Sequence, residues 1–262
     1  MTKVVAITGA SSGIGRETAK FFASKGWKVY NLSRRPANEA GVTDISADVT
    51  EEAGLKKALE QIRSAGDGLD LLINNAGYGI SGSIEFTELK DAKNQFDVNF
   101  FGTFNCIKAA MPLLKESQGR IICISSAAAV FAIPFQSFYS ATKAAINILV
   151  SALVNEVKPF KVSACALQLG DVKTGFTGSR VKSHAGDEIY GGAIGRSVAV
   201  MEKDEQTGMA PEKIAAFIFK VANKKKVKPL YTVGAMYKLL VFLNKLLPHS
   251  LVNFIIGKMY VK

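Results

Sequence analysis

Residues that build metal centres and disulfide frameworks are scarce in this chain. The 3 cysteines, Cys106, Cys123 and Cys165, are odd in number, widely spaced and set in apolar runs, which excludes a disulfide scaffold and fits reduced, buried thiols. The 2 histidines, His184 and His249, lie far apart, and no metal site is expected. No run of about 18 uninterrupted apolar residues is present to cross a membrane. Met1 leads into an apolar β-branched stretch without the charged start or cleavage site of an export signal, so an intracellular, cytoplasmic protein is expected. Acidic residues are missing altogether after Glu212, whereas ten lysines follow it. Residues 1–212 therefore carry only about +1 of the net charge of +11. With a near-neutral domain and a lysine-rich end that lacks arginine and an aromatic stacking sheet, no nucleic-acid partner is expected.

What the chain does have is apolar content, 48% over 262 residues, enough for one α/β domain. Short β-branched runs alternate with segments of helical period, the pattern of repeated βα units in a doubly wound, Rossmann-like parallel sheet flanked by helices. Seven strands are expected, at 3–8, 28–33, 43–47, 69–74, 120–125, 161–168 and 229–233. Runs such as Ile121-Ile122-Cys123-Ile124 are apolar at every position, as strands covered on both faces must be. Helices are expected at 15–24, 51–64, 90–114, 137–157 and 211–222. Between the second and third strands there is room only for a tight loop. The whole chain, 1–262, reads as a single domain.

Four segments fall at the carboxyl ends of strands, where a doubly wound sheet holds its ligand. The first is the glycine-rich Thr8-Gly9-Ala10-Ser11-Ser12-Gly13-Ile14-Gly15, which turns sharply into a helix and brings amides to a pyrophosphate. The second is Ser33-Arg34-Arg35. A site selective for NAD(H) would place a carboxylate here for the ribose hydroxyls, whereas Arg34 offers a charge-assisted partner for a 2′-phosphate, so NADP(H) is expected in preference to NAD(H). Asp48 and Val49 are placed to receive the adenine edge, and Asn75, Ala76 and Gly77 supply small residues and amides after the fourth strand.

The fifth strand ends in Ser125-Ser126, followed by Tyr139-Ser140-Ala141-Thr142-Lys143. At i and i+4 of one helix, Tyr139 and Lys143 share a face, and a cation beside a phenol of ordinary pKa about 10 favours the phenolate. With these residues, and with Asn99, the chain resembles the short-chain dehydrogenase/reductase family across about residues 3–175. The resemblance implies hydride transfer between the nicotinamide and a hydroxyl or carbonyl carbon. It implies that Tyr139 is the acid/base, that Ser126 bonds the substrate oxygen, that Lys143 holds the nicotinamide ribose and lowers the Tyr139 pKa, and that Asn99 kinks its helix and positions a relay water. The segment Gly170-Asp171-Val172-Lys173-Thr174 resembles the family's nicotinamide-carboxamide loop, with Val172 and Thr174 as contacts, although Leu169 stands where the family usually has proline.

On the substrate side, 175–210 is glycine-rich and falls where the family places a mobile lid. Val130, Phe131, Ile133, Pro134, Phe135 and Phe138 make one cleft wall greasy, so a lipophilic alcohol or carbonyl, such as a hydroxysteroid or related lipid, is expected. The extension 230–262 resembles the tail of family members acting on steroids, retinoids and long-chain lipids. Met236, Leu239, Leu240, Leu243, Leu246 and Leu247 form a helical stripe there, with Lys238, Asn244 and Lys245 opposite. Such a helix caps the cleft, lies in a membrane interface, or packs on its own domain or a second subunit. A homodimer or homotetramer through 90–114 and 137–157 is implied by the resemblance, with Phe100, Phe101, Phe104 and Ile107 as the supporting surface. The competing readings are an idle NADP(H)-binding sensor or scaffold, disfavoured because Asn99, Ser126, Tyr139 and Lys143 are all present, and a membrane-surface adaptor acting through the basic tail.

Overall fold

The buried β-branched runs become the strands of one parallel sheet in the computed structural model of the protein, which describes residues 2–261. Met1 and Lys262, the end residues of the expected domain and tail, lie outside the described residues. In chain order the elements are β1 (Val4–Thr8), α1 (Gly13–Ser24), β2 (Lys28–Ser33), β3 (Val42–Ser46), α2 (Glu52–Ser64), β4 (Leu71–Asn74) and the short β5 (Ile80–Ser81). There follow α3 (Leu89–Phe96), a π-helical turn (Asp97–Phe101), α4 (Gly102–Ser117), β6 (Arg120–Ser126), α5 (Ser137–Glu156), β7 (Ser163–Leu169) and the single turn α6 (Phe176–Ser179). The chain then forms β8 (Val181–Lys182), α7 (Ala193–Gln206), α8 (Pro211–Ala222), β9 (Leu230–Val233), α9 (Ala235–Leu246) and α10 (His249–Tyr260).

The main sheet has 7 strands in the order β3-β2-β1-β4-β6-β7-β9, all parallel; β5 and β8 pair separately. Each of the seven expected strands is there to within about two residues. The order reverses between β1 and β4, which opens the crevice at the switch point. Alternation splits the core into two layers: Ile121 and Cys123 pack with Leu55, Ile62, Leu114 and Val150, while Ile122 and Ile124 pack with Phe22, Leu167, Ile214 and Ile218. The 20-residue α5 is apolar enough by length and composition to cross a membrane, yet it lies against β6 and β7 as a core helix and carries Tyr139 and Lys143. Between β2 and β3 the chain has no helix. Asp44 holds that loop, accepting from the amides of Ala37 (2.8 Å) and Asn38 (3.4 Å) and from Asn31 Nδ2 (2.7 Å).

The structure refines three expectations. The helix expected at 90–114 with a kink at Asn99 runs without a break as α3, a π-turn and α4, an extra residue being accommodated where Asn99 turns inward. The glycine-rich 175–210 contains a 14-residue helix, α7, whose Ile194, Val198 and Met201 are buried at helical spacing. The extension at 230–262 begins inside the expected strand, β9, and its helical part is not one helix but two, broken at Leu247 and Pro248. His184 also has a carboxylate neighbour, Asp187, 3.9 Å away.

Phe22 is fully buried between α1 and α8 and meets Trp27 and Phe219 edge-to-face, with centroids 5.1 Å from each. Phe22→Ala is expected to cost about 3–5 kcal/mol in urea unfolding with an unchanged m-value; a loss under about 1 kcal/mol would mean that the layer collapses onto the cavity.

Candidate active site

The carboxyl ends of β1, β2, β4, β6 and β7 open into one cleft of about 1940 Å³. Its wall includes Gly9, Ser11, Ser12, Gly13, Ile14, Arg34, Asp48, Val49, Asn75, Ala76 and Gly77 at one end, and Ser126, Tyr139, Lys143, Gly170, Val172 and Thr174 toward the other. Of the catalytic and cofactor-binding residues expected from sequence, Gly15 and Asn99 do not line it; both are buried beneath.

The glycine-rich loop is tied to the β4 loop by side chains. Thr8 Oγ1 accepts from the amides of Asn75 and Ala76, each at 3.0 Å, while Asn75 Nδ2 donates to the carbonyls of Thr8 (3.0 Å) and Gly9 (3.2 Å). A side chain on Gly15 would overlap Asn75 Nδ2 and the Gly9 carbonyl, so this position requires glycine by close approach. At the start of α1, Ser12 makes no side-chain cap and the first turn holds no acidic residue. The first-turn amides are therefore left to face the cleft, a donor set that suits a pyrophosphate.

Arg34 extends from the end of β2, its side chain 78% exposed, with Nη1 3.7 Å from Asp48 Oδ2. Asp48 is itself fixed by the amide (2.9 Å) and hydroxyl (2.8 Å) of Thr50. Burial works to raise the Asp48 pKa, but these two bonds and Arg34 outweigh it and hold the carboxylate ionised. Val49 packs against the start of α4, where a Cβ on Gly102 would come within 2.6 Å of it.

At the reacting end, α5 places Tyr139 and Lys143 on one face, with Lys143 Nζ 5.6 Å from the Tyr139 ring centroid. Lys143 Nζ donates to the Ile124 carbonyl at 2.9 Å. Burial pushes the Lys143 ammonium down to about 8 and the Tyr139 phenol up to about 12; for the phenol the Ser126 hydroxyl works against the rise, and Glu205 and Asp171 add to it. The expected lowering of the Tyr139 pKa by Lys143 is not seen among these side chains: Lys143 is not one of the groups that move the phenol, and its ammonium is turned to a backbone carbonyl. Asn99 is fully buried in the π-turn. Its Oδ1 accepts from the Tyr78 amide (3.1 Å), and its Nδ2 donates to the Tyr78 carbonyl (3.0 Å) and Thr142 Oγ1 (3.2 Å). Gly77 is squeezed between Asn99 and Lys143.

Of the expected greasy wall, Phe131 and Ile133 line the cleft, whereas Val130, Pro134, Phe135 and Phe138 do not, Phe135 meeting Tyr190 edge-to-face. Sequence reasoning missed most of what faces them. Phe176 of α6 stands with its ring centroid 5.7 Å from that of Tyr139. Behind it Arg180, with no exposed side-chain surface, pairs with Glu205 of α7, which also accepts from Thr177 at 2.6 Å. The nicotinamide loop is held from two sides. Met209 and Asp171 bond through the backbone (2.9 Å), and Tyr237 of α9 donates to the Asp171 carboxylate. Gly170 lies flat under the Tyr237 ring, which a side chain there would overlap. Glycine next to aspartate was the available signal, but nothing local tells which ring covers it.

The tail helices close the far side of the cleft through Met236, Leu240, Leu243, Leu247, Val252 and Ile256. No residue of α9 is fully buried, and Asn244, expected opposite the stripe, faces the cleft.

Compared with known proteins, the chain matches the family model for short chain dehydrogenase over residues 3–185. It is 38% identical to a 3-ketodihydrosphingosine reductase of Bacteroides thetaiotaomicron, over 98% of each chain, and 34% identical to a probable short-chain type dehydrogenase/reductase of Helicobacter pylori, over 93% of each. It superposes on the solved structure of a short-chain dehydrogenase from Streptomyces avermitilis with a TM-score of 0.82 and 26% identity, covering 94% of this chain and 93% of that one.

Gly170→Ala is expected to lift the Tyr237 ring and loosen α9, so that trypsin cuts at the exposed Lys238 and Lys245 about tenfold faster or more while far-UV circular dichroism is nearly unchanged. Cleavage at the wild-type rate would show that this contact does not hold the tail.

Proposed function

The chain belongs to the short chain dehydrogenase family, NAD(P)-dependent oxidoreductases acting on CH–OH groups, and we propose that it interconverts a secondary alcohol and a ketone, or a primary alcohol and an aldehyde, on a lipophilic substrate with NADP(H). The observation that carries this reading is the single cleft in which Ser126, Tyr139 and Lys143 face an apolar wall made by the tail helices. The glycine-rich loop, Arg34, Asp48, Val49, the 75–77 segment, Lys143 and the 170–174 loop would hold the cofactor, which when bound would supply or accept the hydride.

The remaining chemistry belongs to side chains. Ser126 donates to the substrate oxygen and polarises the carbonyl. In reduction Tyr139 gives its phenolic proton to that oxygen as the carbon takes the hydride; in oxidation the phenolate accepts it. Lys143 would hold the nicotinamide ribose and, as an ammonium, stabilise the phenolate left behind. Asn99 fixes the backbone at Tyr78 and so the floor beneath Lys143. Phe176 and the tail keep water from the reacting carbon.

NADP(H) preference is supported by Arg34 and by the absence of a carboxylate in Ser33-Arg34-Arg35. A lipid or steroid substrate is supported by the tail residues in the cleft, and the relative named 3-ketodihydrosphingosine reductase points the same way. We also infer a homodimer or homotetramer through α4 and α5. Phe101 of the π-turn, Phe104 on α4 and Ile148 on α5 are exposed there, although Ile107 is buried and Phe100 packs inward. Three buried free thiols, Cys106, Cys123 and Cys165, suit a reducing, cytoplasmic setting.

The test is NADPH and NADH oxidation against ketones and aldehydes ranging from small polar ones to steroids and long-chain lipids. Tyr139→Phe is expected to lower kcat about 100- to 10,000-fold with NADPH affinity retained. Arg34→Ala is expected to raise KM for NADPH about 10- to 100-fold and leave KM for NADH unchanged, since a hydrogen bond to a charged group contributes about 1.5–3 kcal/mol; an equal effect on both cofactors would overturn the NADP(H) assignment. The pH profile follows from signs. Lys143, lowered to about 8, is charged only below that pH, while Tyr139, raised to about 12, stays protonated well above it. Reduction kcat/KM is thus expected to be level below about pH 8 and to fall above it; a fall only near pH 10 would show a lysine of ordinary pKa.

A further inference from the structure

We propose that α9 and α10 dock the protein on an anionic lipid bilayer and open the catalytic cleft to it, so that the substrate passes from the membrane to Tyr139 without crossing water. The proposal rests on the lipophilic substrate inferred above, and adds the surface that substrate comes from.

The two helices have two apolar sides. One faces the cleft. The other faces outward: Leu239, Phe242, Leu246, Leu251 and Phe254 are 57%, 57%, 65%, 43% and 62% exposed, and none of them lines the cleft. On α9 the first three follow at i, i+3 and i+7, one continuous stripe, and on α10 Leu251 and Phe254 stand at i and i+3. Single exposed apolar residues are ordinary, but stripes of large ones mark a surface meant to be covered. Leu240 and Ile255 belong to both sides: they line the cleft and are 39% and 43% exposed, which places the cleft mouth at the edge of this surface.

Charge selects the occupant. The only charged side chains on the two helices are Lys238, Lys245 and Lys258, all exposed, and no acidic residue follows Glu212 anywhere. On α9 both lysines fall beside Phe242 at the border of the apolar arc, and on α10 Lys258 Nζ lies 5.1 Å from the Phe254 ring centroid. Apolar side chains bordered by lysines match an interface of acyl chains beneath anionic headgroups. A second copy of the same surface would bring lysines against lysines. Each helix has 12 residues, about 18 Å long against a hydrocarbon core of about 30 Å, so the pair lies in the interface and does not span it.

The experiment is flotation of the full-length protein with phosphatidylcholine vesicles, with and without phosphatidylglycerol. Two variants accompany it: the triple substitution Phe242→Ser, Leu246→Ser, Phe254→Ser, and the charge reversal Lys238→Glu, Lys245→Glu. Wild type is expected to float with the phosphatidylglycerol vesicles, and each variant to bind them at least about tenfold more weakly. In both variants NADPH quenching, mass by light scattering and turnover of a short water-soluble ketone stay at wild-type values, while turnover of a long-chain ketone embedded in vesicles falls about tenfold. Wild type left in the aqueous phase with every vesicle, or both variants floating like wild type, would overturn the proposal. So would a halved mass for the triple variant, which would make the stripe a subunit interface. Flotation is read without turnover, so vesicle binding without ketone reduction sinks only the enzymatic reading, and reduction of a detergent-dispersed ketone without vesicle binding sinks only the docking.

Discussion

The stitch between Thr8 and Asn75 is the interaction on which the rest of the site depends. The strand order reverses between β1 and β4, so the two loops that leave these strands diverge and open a crevice. An open crevice is useful only if its two lips keep a fixed distance. Four hydrogen bonds between the Thr8-Gly9 and Asn75-Ala76 segments set it, and Gly15 gives the room that Asn75 needs. Asn75 thereby spends its side chain on protein, and the binding capacity left over belongs to backbone amides. Those amides stay pointed at the cleft because Ser12 does not cap them.

Further along the same edge, burial does the electrostatic tuning. Lys143 and Tyr139 are each pushed toward neutrality, one downward and one upward, by the same loss of water. A pair adjusted this way, with the ammonium near 8 and the phenol near 12, keeps the proton on Tyr139, where a substrate oxygen can take it. The π-turn that carries Asn99 belongs to the same arrangement, since Asn99 holds Tyr78 by both amide and carbonyl and bonds Thr142, the neighbour of Lys143 in α5.

Much of this was legible in the residues. Strands with no polar position, such as Ile121 to Ile124, announce a doubly covered sheet, and once the strands are placed the glycine loop, Arg34, Asp48 and Tyr139 must gather at their carboxyl ends. Other features lay beyond local pattern. The π-turn at Asn99 is a backbone register change settled by bonds to Tyr78 and Thr142, which are distant in sequence. The period of Ile194, Val198 and Met201 in α7 was masked by the surrounding glycines. The tail stripe was visible, but its direction was not: period shows that Leu239, Phe242 and Leu246 share a side of the helix and is silent on which side the domain takes. The perturbed titration of Tyr139 depends on depth, which spacing along a helix does not report.

Tyr237 and Gly170 form a contact in which one partner exists only because the other is missing a side chain. Two positions related this way cannot drift independently. A residue with a side chain at 170 becomes tolerable only after the ring at 237 has been trimmed, and trimming the ring first leaves Asp171 without its phenol. Homologues should therefore fall into two self-consistent sets, one with glycine beneath an aromatic ring and one with a larger residue beneath a smaller one. Grafting a foreign tail onto this domain, or this tail onto another, would succeed or fail according to which set each half came from.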